Sequence, residues 1–400
     1  VDIKRTITIL LPNDDDLRAT MLAFQQVQQQ LSPVCFNNGE PLRALALHHA
    51  CYLQVVGALN SQMTCSAIRL TAGAYASAKS NGHAITKPFG FHRARALFLV
   101  GKRGRDADFR PDGTLSIWTT AGRKRLAYRV PTAFQDTFTQ AKEIDSLTVI
   151  ERNGTLLGRV TLTLEAPEPN GVLPVGIDLN ETNALVAVDA DDRVFFVSGK
   201  KVKVRNKRTY KTKKRVQKKL AAKKAEGTHQ DTRSVRRVLK RLGRKQANRT
   251  RTFAKTAAKQ LVDWAPANAV LVFEALSVPQ PRKGVVKGKA TRRRLSQWQR
   301  HLIRQAVESK AQERGMVVAE VNPAYTSQLC ARCGLLGIRK RHVFVCPHCG
   351  HTAHADINAA VNVRDRYTVF RDGGHPVSVP RSPDSSADSS TGALRASPSL

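Results

Sequence analysis

Four of the seven cysteines in this chain form two Cys-x-x-Cys pairs, Cys330 with Cys333 and Cys346 with Cys349, twelve residues apart. At that spacing four thiolates can surround one zinc ion tetrahedrally. Asp356 follows seven residues beyond the second pair, in the run His354-Ala355-Asp356-Ile357-Asn358-Ala359-Ala360. Two further acids close apolar runs: Asp178 after Val175-Gly176-Ile177, and Glu274 after Val270-Leu271-Val272-Phe273. Carboxylates at adjoining strand ends, with a third from a facing helix, can converge on a pair of divalent ions. Magnesium suits such a site because it takes few carboxylates and leaves room for water and phosphate oxygens. Two such ions ~4 Å apart would activate water and stabilise the leaving oxygen in phosphodiester cleavage. Taken singly, an acid after an apolar strand is more often a solvated strand end. Glu320, in Val317 to Val321, is expected on the outer face by alternation.

The elements that must position these groups can be read from periodicity. Lys4 to Leu11 alternates as a strand, Leu17 to Leu31 is an amphipathic helix behind Asp14-Asp15-Asp16, and Pro41 to Leu59 and Ser61 to Lys79 are helical. Strands are expected at Ala96 to Val100, Thr114 to Thr119, Ser146 to Arg152 and Leu156 to Leu164, with Asn153-Gly154 as a tight hairpin. After a linker at Pro167 to Gly171, a three-strand meander covers Leu173 to Leu179, Ala184 to Val188 and Arg193 to Val197. Asn268 to Glu274 and Met316 to Val321 are further strands. Helices are expected over Leu295 to Arg314 and from Asp356 to about Arg366. Residues 371–400, rich in Ser, Pro, Ala and Gly, are expected to be a disordered tail. Cys35, Cys51 and Cys65 lack paired spacing and are expected to be buried thiols.

The charge balance names the partner class. The chain carries 66 Lys and Arg against 31 Asp and Glu, a net +35 in 400 residues. Lys200 to Arg251 alone holds 23 basic residues against Glu226 and Asp231, on two expected helices with thin stripes at Val216, Leu220, Val235, Leu239 and Leu242. Like charge without mixed pairing destabilises a helix, so a polyanion is expected to neutralise it, and nucleic acid is the candidate. No apolar run approaches the ~20 residues that a membrane helix needs. The short apolar stretch Ile7 to Leu11 is too short for a secretion signal, so the cysteines are expected in a reducing compartment and metal ligation is favoured over disulfides. His348, His351 and His354 flank a shell that four thiolates already fill, and are expected to support it or to contact phosphate. Arg339 and Arg341, between the pairs, are candidate contacts to a cleaved strand, or simply exposed.

Together these motifs give a family resemblance. Gly176-Ile177-Asp178, Val272-Phe273-Glu274, Tyr325-Thr326-Ser327-Gln328 leading into both cysteine pairs, and His354 to Ala360 occur in the order found in TnpB nucleases of bacterial insertion sequences. The chain resembles these and the related compact type V CRISPR effectors over about half its length. The resemblance implies an α/β multidomain protein with an RNase H-like RuvC nuclease domain (169–323 and 353–370, with basic helices at 200–262). It also implies a zinc ribbon at 324–352, and a β-barrel wedge (1–12 and 84–168) with a helical recognition insert (13–83). It further implies Asp178, Glu274 and Asp356 as the catalytic, magnesium-binding triad, with manganese able to substitute, and Cys330, Cys333, Cys346 and Cys349 as zinc ligands. The implied partners are a guide RNA and double-stranded target DNA bearing a short adjacent motif, without a membrane, in the bacterial cytoplasm and at the nucleoid when DNA-bound. Asn180 stands where family members often have glycine, a change that left-handed backbone tolerates. Base pairing would supply sequence specificity while the protein reads backbone shape. Two rival readings are a guide-directed DNA-binding protein without cleavage, which the intact triad disfavours, and a guide-independent, structure-specific DNA nuclease.

Overall fold

The structure is a computed structural model that describes residues 2–101, 105–225, 232–275 and 300–371. The expected tail at 371–400 lies outside the described residues save Arg371, as does the basic, glycine-containing stretch Lys283 to Arg294, which the sequence alone reads as a loop. The chain divides into two compact units, Val1–Pro167 and Glu168–Leu400.

The first unit places three helices, α1 (Asp15–Phe36), α2 (Ala44–Val55) and α3 (Ser61–Ser80), after strand β1 (Asp2–Leu10). Asp14 caps α1 by accepting from the Leu17 amide at 2.8 Å, and Asn60 caps α3 by accepting from Met63 at 2.8 Å. The strands that follow are β2 (Arg95–Leu99), β3 (Ala107–Phe109), β4 (Thr114–Thr119) and β5 (Gly122–Ala127). A short helix α4 (Gln135–Thr139) then leads to β6 (Glu143–Arg152) and β7 (Thr155–Glu165). Antiparallel pairing gives one sheet in the order β1-β7-β6-β2 and a second in the order β3-β4-β5. Single bridges, Leu10 with Arg129 and Val100 with Ala107, join the two. Asn153 and Gly154, both at positive φ (53° and 78°), make the hairpin between β6 and β7. Sequence periodicity did not mark β3, β5 or α4, which are short.

The second unit is built on one five-stranded sheet. Its strands are β8 (Leu173–Asp178), β9 (Asn183–Val188), β10 (Val194–Ser198), β11 (Ala269–Glu274) and β12 (Val317–Val321), in the order β10-β9-β8-β11-β12. β11 runs parallel to both β8 and β12, and β9 runs antiparallel to β8. Both faces are covered, which is why β8 and β11 read as unbroken apolar runs. On one face Val175, Ile177, Leu271 and Phe273 pack with α6 (Thr232–Trp264) and α7 (Arg300–Glu313). The contacts come from Ala254, Ala257, Ala258, Leu261 and Val262 of α6, at helical spacing, and from Ile303, Val307 and Ala311 of α7. On the other face Val270 and Val272 pack with Val363 of α8 (Ala355–Arg371).

α5 (Lys200–Ala225) pairs with α6, and the expected stripes are present: Val235 is buried, while Val216, Leu220, Leu239 and Leu242 are half-buried. A buried Asn206 joins the two helices by donating to the Thr250 hydroxyl (3.3 Å) and accepting from Arg249 (3.1 Å). A small antiparallel ribbon, β13 (Ile338–Lys340), β14 (Val343–Val345) and β15 (Thr352–His354), precedes α8. Among the described residues no helix is long and apolar enough to cross a membrane.

Candidate active site and thiol cluster

Strand parity sets the direction of two of the three acids. Ile177 and Phe273 face α6 and α7 and are register partners across β8 and β11. Their successors Asp178 and Glu274 therefore point to the α8 face, at the same carboxyl-terminal edge of two parallel neighbours. Gly176, two residues before Asp178, lets α8 come close: a Cβ there would lie 2.1 Å from the Ala360 carbonyl oxygen and 2.5 Å from the Arg364 nitrogen. Arg364 fixes the same helix to the β9–β10 turn, donating to the Asp189 carbonyl (2.5 Å) and the Asp192 carboxylate (2.6 Å). Asp356 sits in the first turn of α8, where the helix dipole favours a carboxylate.

At this edge the charges of Glu274 and Asp356 both act on Asp178. Asp178 is 8% exposed, and burial, then the neighbouring Glu274 and Asp356 charges, push its carboxyl up to about 8, against the opposing pull of Arg339. Its Oδ2 is buried and has no hydrogen-bond partner among the described residues. Burial likewise raises Glu274, although the Thr326 hydroxyl donates to it and Arg300, Arg366 and Arg339 favour its charge. Asp356 is fully buried and well supplied with donors. Its Oδ1 accepts from Asn180 (2.7 Å) and Arg339 (2.7 Å), and its Oδ2 accepts from Asn183 (2.8 Å). Glu320 pairs with Phe273 in register, so it faces the opposite way, where it ion-pairs with Arg304 of α7.

The four ribbon thiols also converge. Their sulfurs lie within 4.8 Å of one another, with Cys330–Cys349 at 3.7 Å and Cys333–Cys346 at 3.5 Å. Bonds of ~2.3 Å to a tetrahedral zinc would space the sulfurs ~3.8 Å apart, so the cluster fits that ion with little adjustment. Each pair forms the same turn: Gly334 and Gly350, at φ 73° and 70°, donate to the Cys330 and Cys346 carbonyls (2.9 and 3.1 Å). Phe344 is fully buried beside the thiols.

Asn358 and Asn362 fasten this cluster to α8. The Asn358 amide accepts from the Ala331 N–H (2.9 Å) and donates to the Leu329 carbonyl (2.7 Å), and Asn362 donates to the carbonyls of Thr326 (2.8 Å) and Leu329 (2.7 Å). Of the three flanking histidines, His348 is exposed, and His354 adjoins the acids, its Nδ1 accepting from the Asp356 N–H at 3.3 Å. Arg339 reaches Asp356, whereas Arg341 is exposed in a left-handed turn at φ 58°. Sequence reasoning did not assign Asn183, Thr326, Asn358 or Asn362. The available signal was a pair of asparagines four residues apart on the helix that follows the cysteines.

Comparison with known proteins falls on these same segments. Residues 301–363 match the family described as Cas12f1-like, TNB domain, and residues 157–283 match the family described as Probable transposase, OrfB_IS605. The TnpB-like protein aq_aa05 of Aquifex aeolicus (strain VF5) is 33% identical over 132 residues, 30% of this chain and 42% of that protein. The CRISPR-associated endodeoxyribonuclease Cas12f1 of Sulfoacidibacillus thermotolerans is 39% identical over 72 residues, 17% of each. The chain thus matches less than half the length of either relative. A solved structure of CasPhi-2 (Cas12j) bound to crRNA matches over 92% of this chain and 98% of its own at 11% identity, with a TM-score of 0.49. The family matches and both relatives bear out the resemblance seen in the motifs: over 157–283 and 301–363 this chain is similar to TnpB-like proteins and compact type V effectors.

Proposed function

We propose that the chain is an RNA-guided DNA endonuclease that hydrolyses target phosphodiesters at Asp178, Glu274 and Asp356. The observation that carries this is the buried Oδ2 of Asp178, which has no hydrogen-bond partner among the described residues and feels the charges of Glu274 on the next strand and Asp356 on α8. Ionising a buried carboxyl with an oxygen left unpartnered among like charges is costly unless a cation completes it. Hard oxygen donors of this kind suit magnesium, with manganese able to replace it. Bound there, the divalent ions would activate water and stabilise the departing oxygen.

The chain's own residues do the positioning. Asn180, Asn183 and Arg339 hold Asp356 in one orientation, and Thr326 holds Glu274. Arg339, on the ribbon, offers a guanidinium beside the carboxylates, where it can also meet a phosphate oxygen. Zinc in the four thiols would keep that ribbon rigid. The basic helices α5 and α6 suit a nucleic-acid backbone, and in this reading the two polyanions are a guide RNA and double-stranded DNA, as the resemblance of the motifs implies. In this reading the first unit is the wedge with its helical insert, and the second unit is the RuvC-like domain with its ribbon.

The test is plasmid cleavage in magnesium by the purified protein with its co-purified RNA, whose sequence names the target. Wild type should cut a matching plasmid. Asp356→Ala should bind the same plasmid and leave it whole. Cleavage by that variant would overturn the assignment, and RNA-free cutting of branched DNA would favour the guide-independent alternative.

A further inference from the structure

We infer that His342, His354 and Asp356 form a second transition-metal site, separate from the four thiols, at which Zn²⁺ or Ni²⁺ antagonises the magnesium-dependent reaction. The inhibitory consequence rests on the nuclease reading; the site itself rests on geometry alone. One ligand atom from each of the three residues lies within 4.8 Å of the other two. A tetrahedral site with ~2.0–2.1 Å bonds to nitrogen and oxygen has edges of ~3.3–3.4 Å, so the group must contract by at most about 1.4 Å. His342 can supply that movement. Its side chain is exposed, while its backbone is held by the Ala355 N–H donating to its carbonyl at 2.8 Å and by the Val343–His354 pairing beside it.

The donor chemistry is in place. Asp356 Oδ1 is taken by Asn180 and Arg339, but Oδ2 accepts only from Asn183 among the described residues and lies 4.0 Å from His354 Nδ1. That Nδ1 accepts the Asp356 N–H, so it presents a lone pair rather than a proton, the state in which imidazole binds metal. An ion between them replaces one long amide contact and leaves the Oδ1 partners undisturbed. The two imidazoles stack at 5.6 Å and 20°, with Phe196 edge-on to His354 at 5.5 Å, which orients the His354 ring. Two imidazoles with one carboxylate favour Zn²⁺, Ni²⁺ or Co²⁺ over magnesium, which prefers an all-oxygen shell. An ion bound there would occupy an Asp356 oxygen and add two positive charges beside the triad, so magnesium would bind less well.

The experiment titrates Zn²⁺ into the full chain, its ribbon already zinc-loaded, by calorimetry in magnesium-free buffer. Wild type should take up one more Zn²⁺ per chain than His342→Ala, or bind it at least about tenfold more tightly, as loss of one ligand of three requires. His342→Gln, which keeps size and polarity, should behave as His342→Ala does. In parallel, Zn²⁺ added to a plasmid-cleavage reaction at fixed magnesium should inhibit wild type at a concentration about tenfold lower than it inhibits His342→Ala. Equal zinc uptake by wild type and both variants would overturn the site. An uptake difference without differential inhibition would overturn the antagonism. Absence of any cleavage would count against the nuclease reading, and the uptake comparison would still decide the metal site.

Discussion

Replacing Asp178 with asparagine should stabilise the metal-free protein at neutral pH, although it destroys the proposed active site. The carboxyl of Asp178 ordinarily titrates at 3.8 and is pushed up to about 8 here, first by burial and then by Glu274 and Asp356. Between those values the folded state holds a proton that the unfolded state has released, so stability falls as pH rises through this window. At about 1.4 kcal/mol per pH unit, the loss accumulated from 3.8 up to pH 7 is about 4 kcal/mol, and it levels off above pH 8. The amide of the variant carries no such proton, and every other titrating group is common to both proteins. The difference between them should therefore be near zero at pH 4 and grow to about 4 kcal/mol in favour of Asp178→Asn at pH 7. Urea denaturation of both proteins in a chelator, from pH 4 to pH 9, measures it directly. A difference that does not change with pH, or a variant less stable than wild type at pH 7, would refute the reasoning.

Magnesium should invert that order, because a bound cation takes the place of the proton. Its binding to wild type at pH 7 should release close to one proton, and its apparent affinity should fall about tenfold per pH unit below pH 8. Calorimetry in buffers of different ionisation enthalpy counts the proton. Asp178→Asn should release none.

Three further outcomes follow from the packing around the acids. Gly176→Ala places a Cβ 2.1 Å from the Ala360 carbonyl, so α8 must move; we expect a loss of about 1–3 kcal/mol in denaturation and no detectable cleavage. Asn358→Ala strands the Ala331 N–H and leaves the Leu329 carbonyl to Asn362 alone, which should cost about 1–3 kcal/mol and raise hydrogen exchange over 324–355. Cys346→Ser, or zinc chelation, should loosen the same segment and abolish cleavage while RNA binding by the rest of the chain persists, read by exchange and by gel shift.

The acids were legible in sequence because strand parity and strand ends are local properties. A run such as Ala269 to Phe273 must be buried on both faces, and the first charge after it must lie at the sheet edge. Asp356 was legible through its distance from a cysteine pattern with a well-defined chemistry. The supports of these acids were not legible, because each is a contact between distant segments. Asn180 and Asn183 lie 176 and 173 residues from Asp356 in the chain, and Thr326 lies 52 residues from Glu274. Before folding, each is an ordinary polar residue with nothing local to mark it. The ribbon strands β13 to β15 are three residues long, and Ile338, Val343 and Val345 are exposed, so no periodicity marks them.

Arg339 shows what that local blindness conceals. In sequence it is one of several basic residues between two cysteine pairs; in the fold its guanidinium meets a fully buried carboxylate and lowers the proton affinity of Asp178. Its position depends on a three-residue strand whose neighbour β14 lies between the thiol pairs, and on Asn358 joining that cluster to the helix that bears Asp356. The same few residues therefore fix both the cation and the carboxylate it faces. This accounts physically for the short interval between the second cysteine pair and Asp356: seven residues leave room for one strand and a helix start, and little freedom for the two groups to separate. If so, inserting two glycines between Gly350 and Thr352 should break the Arg339–Asp356 pair while leaving the four thiols able to bind zinc. Such a variant should retain one zinc per chain and lose cleavage; retained cleavage would show that the ribbon serves the acids in no positional way.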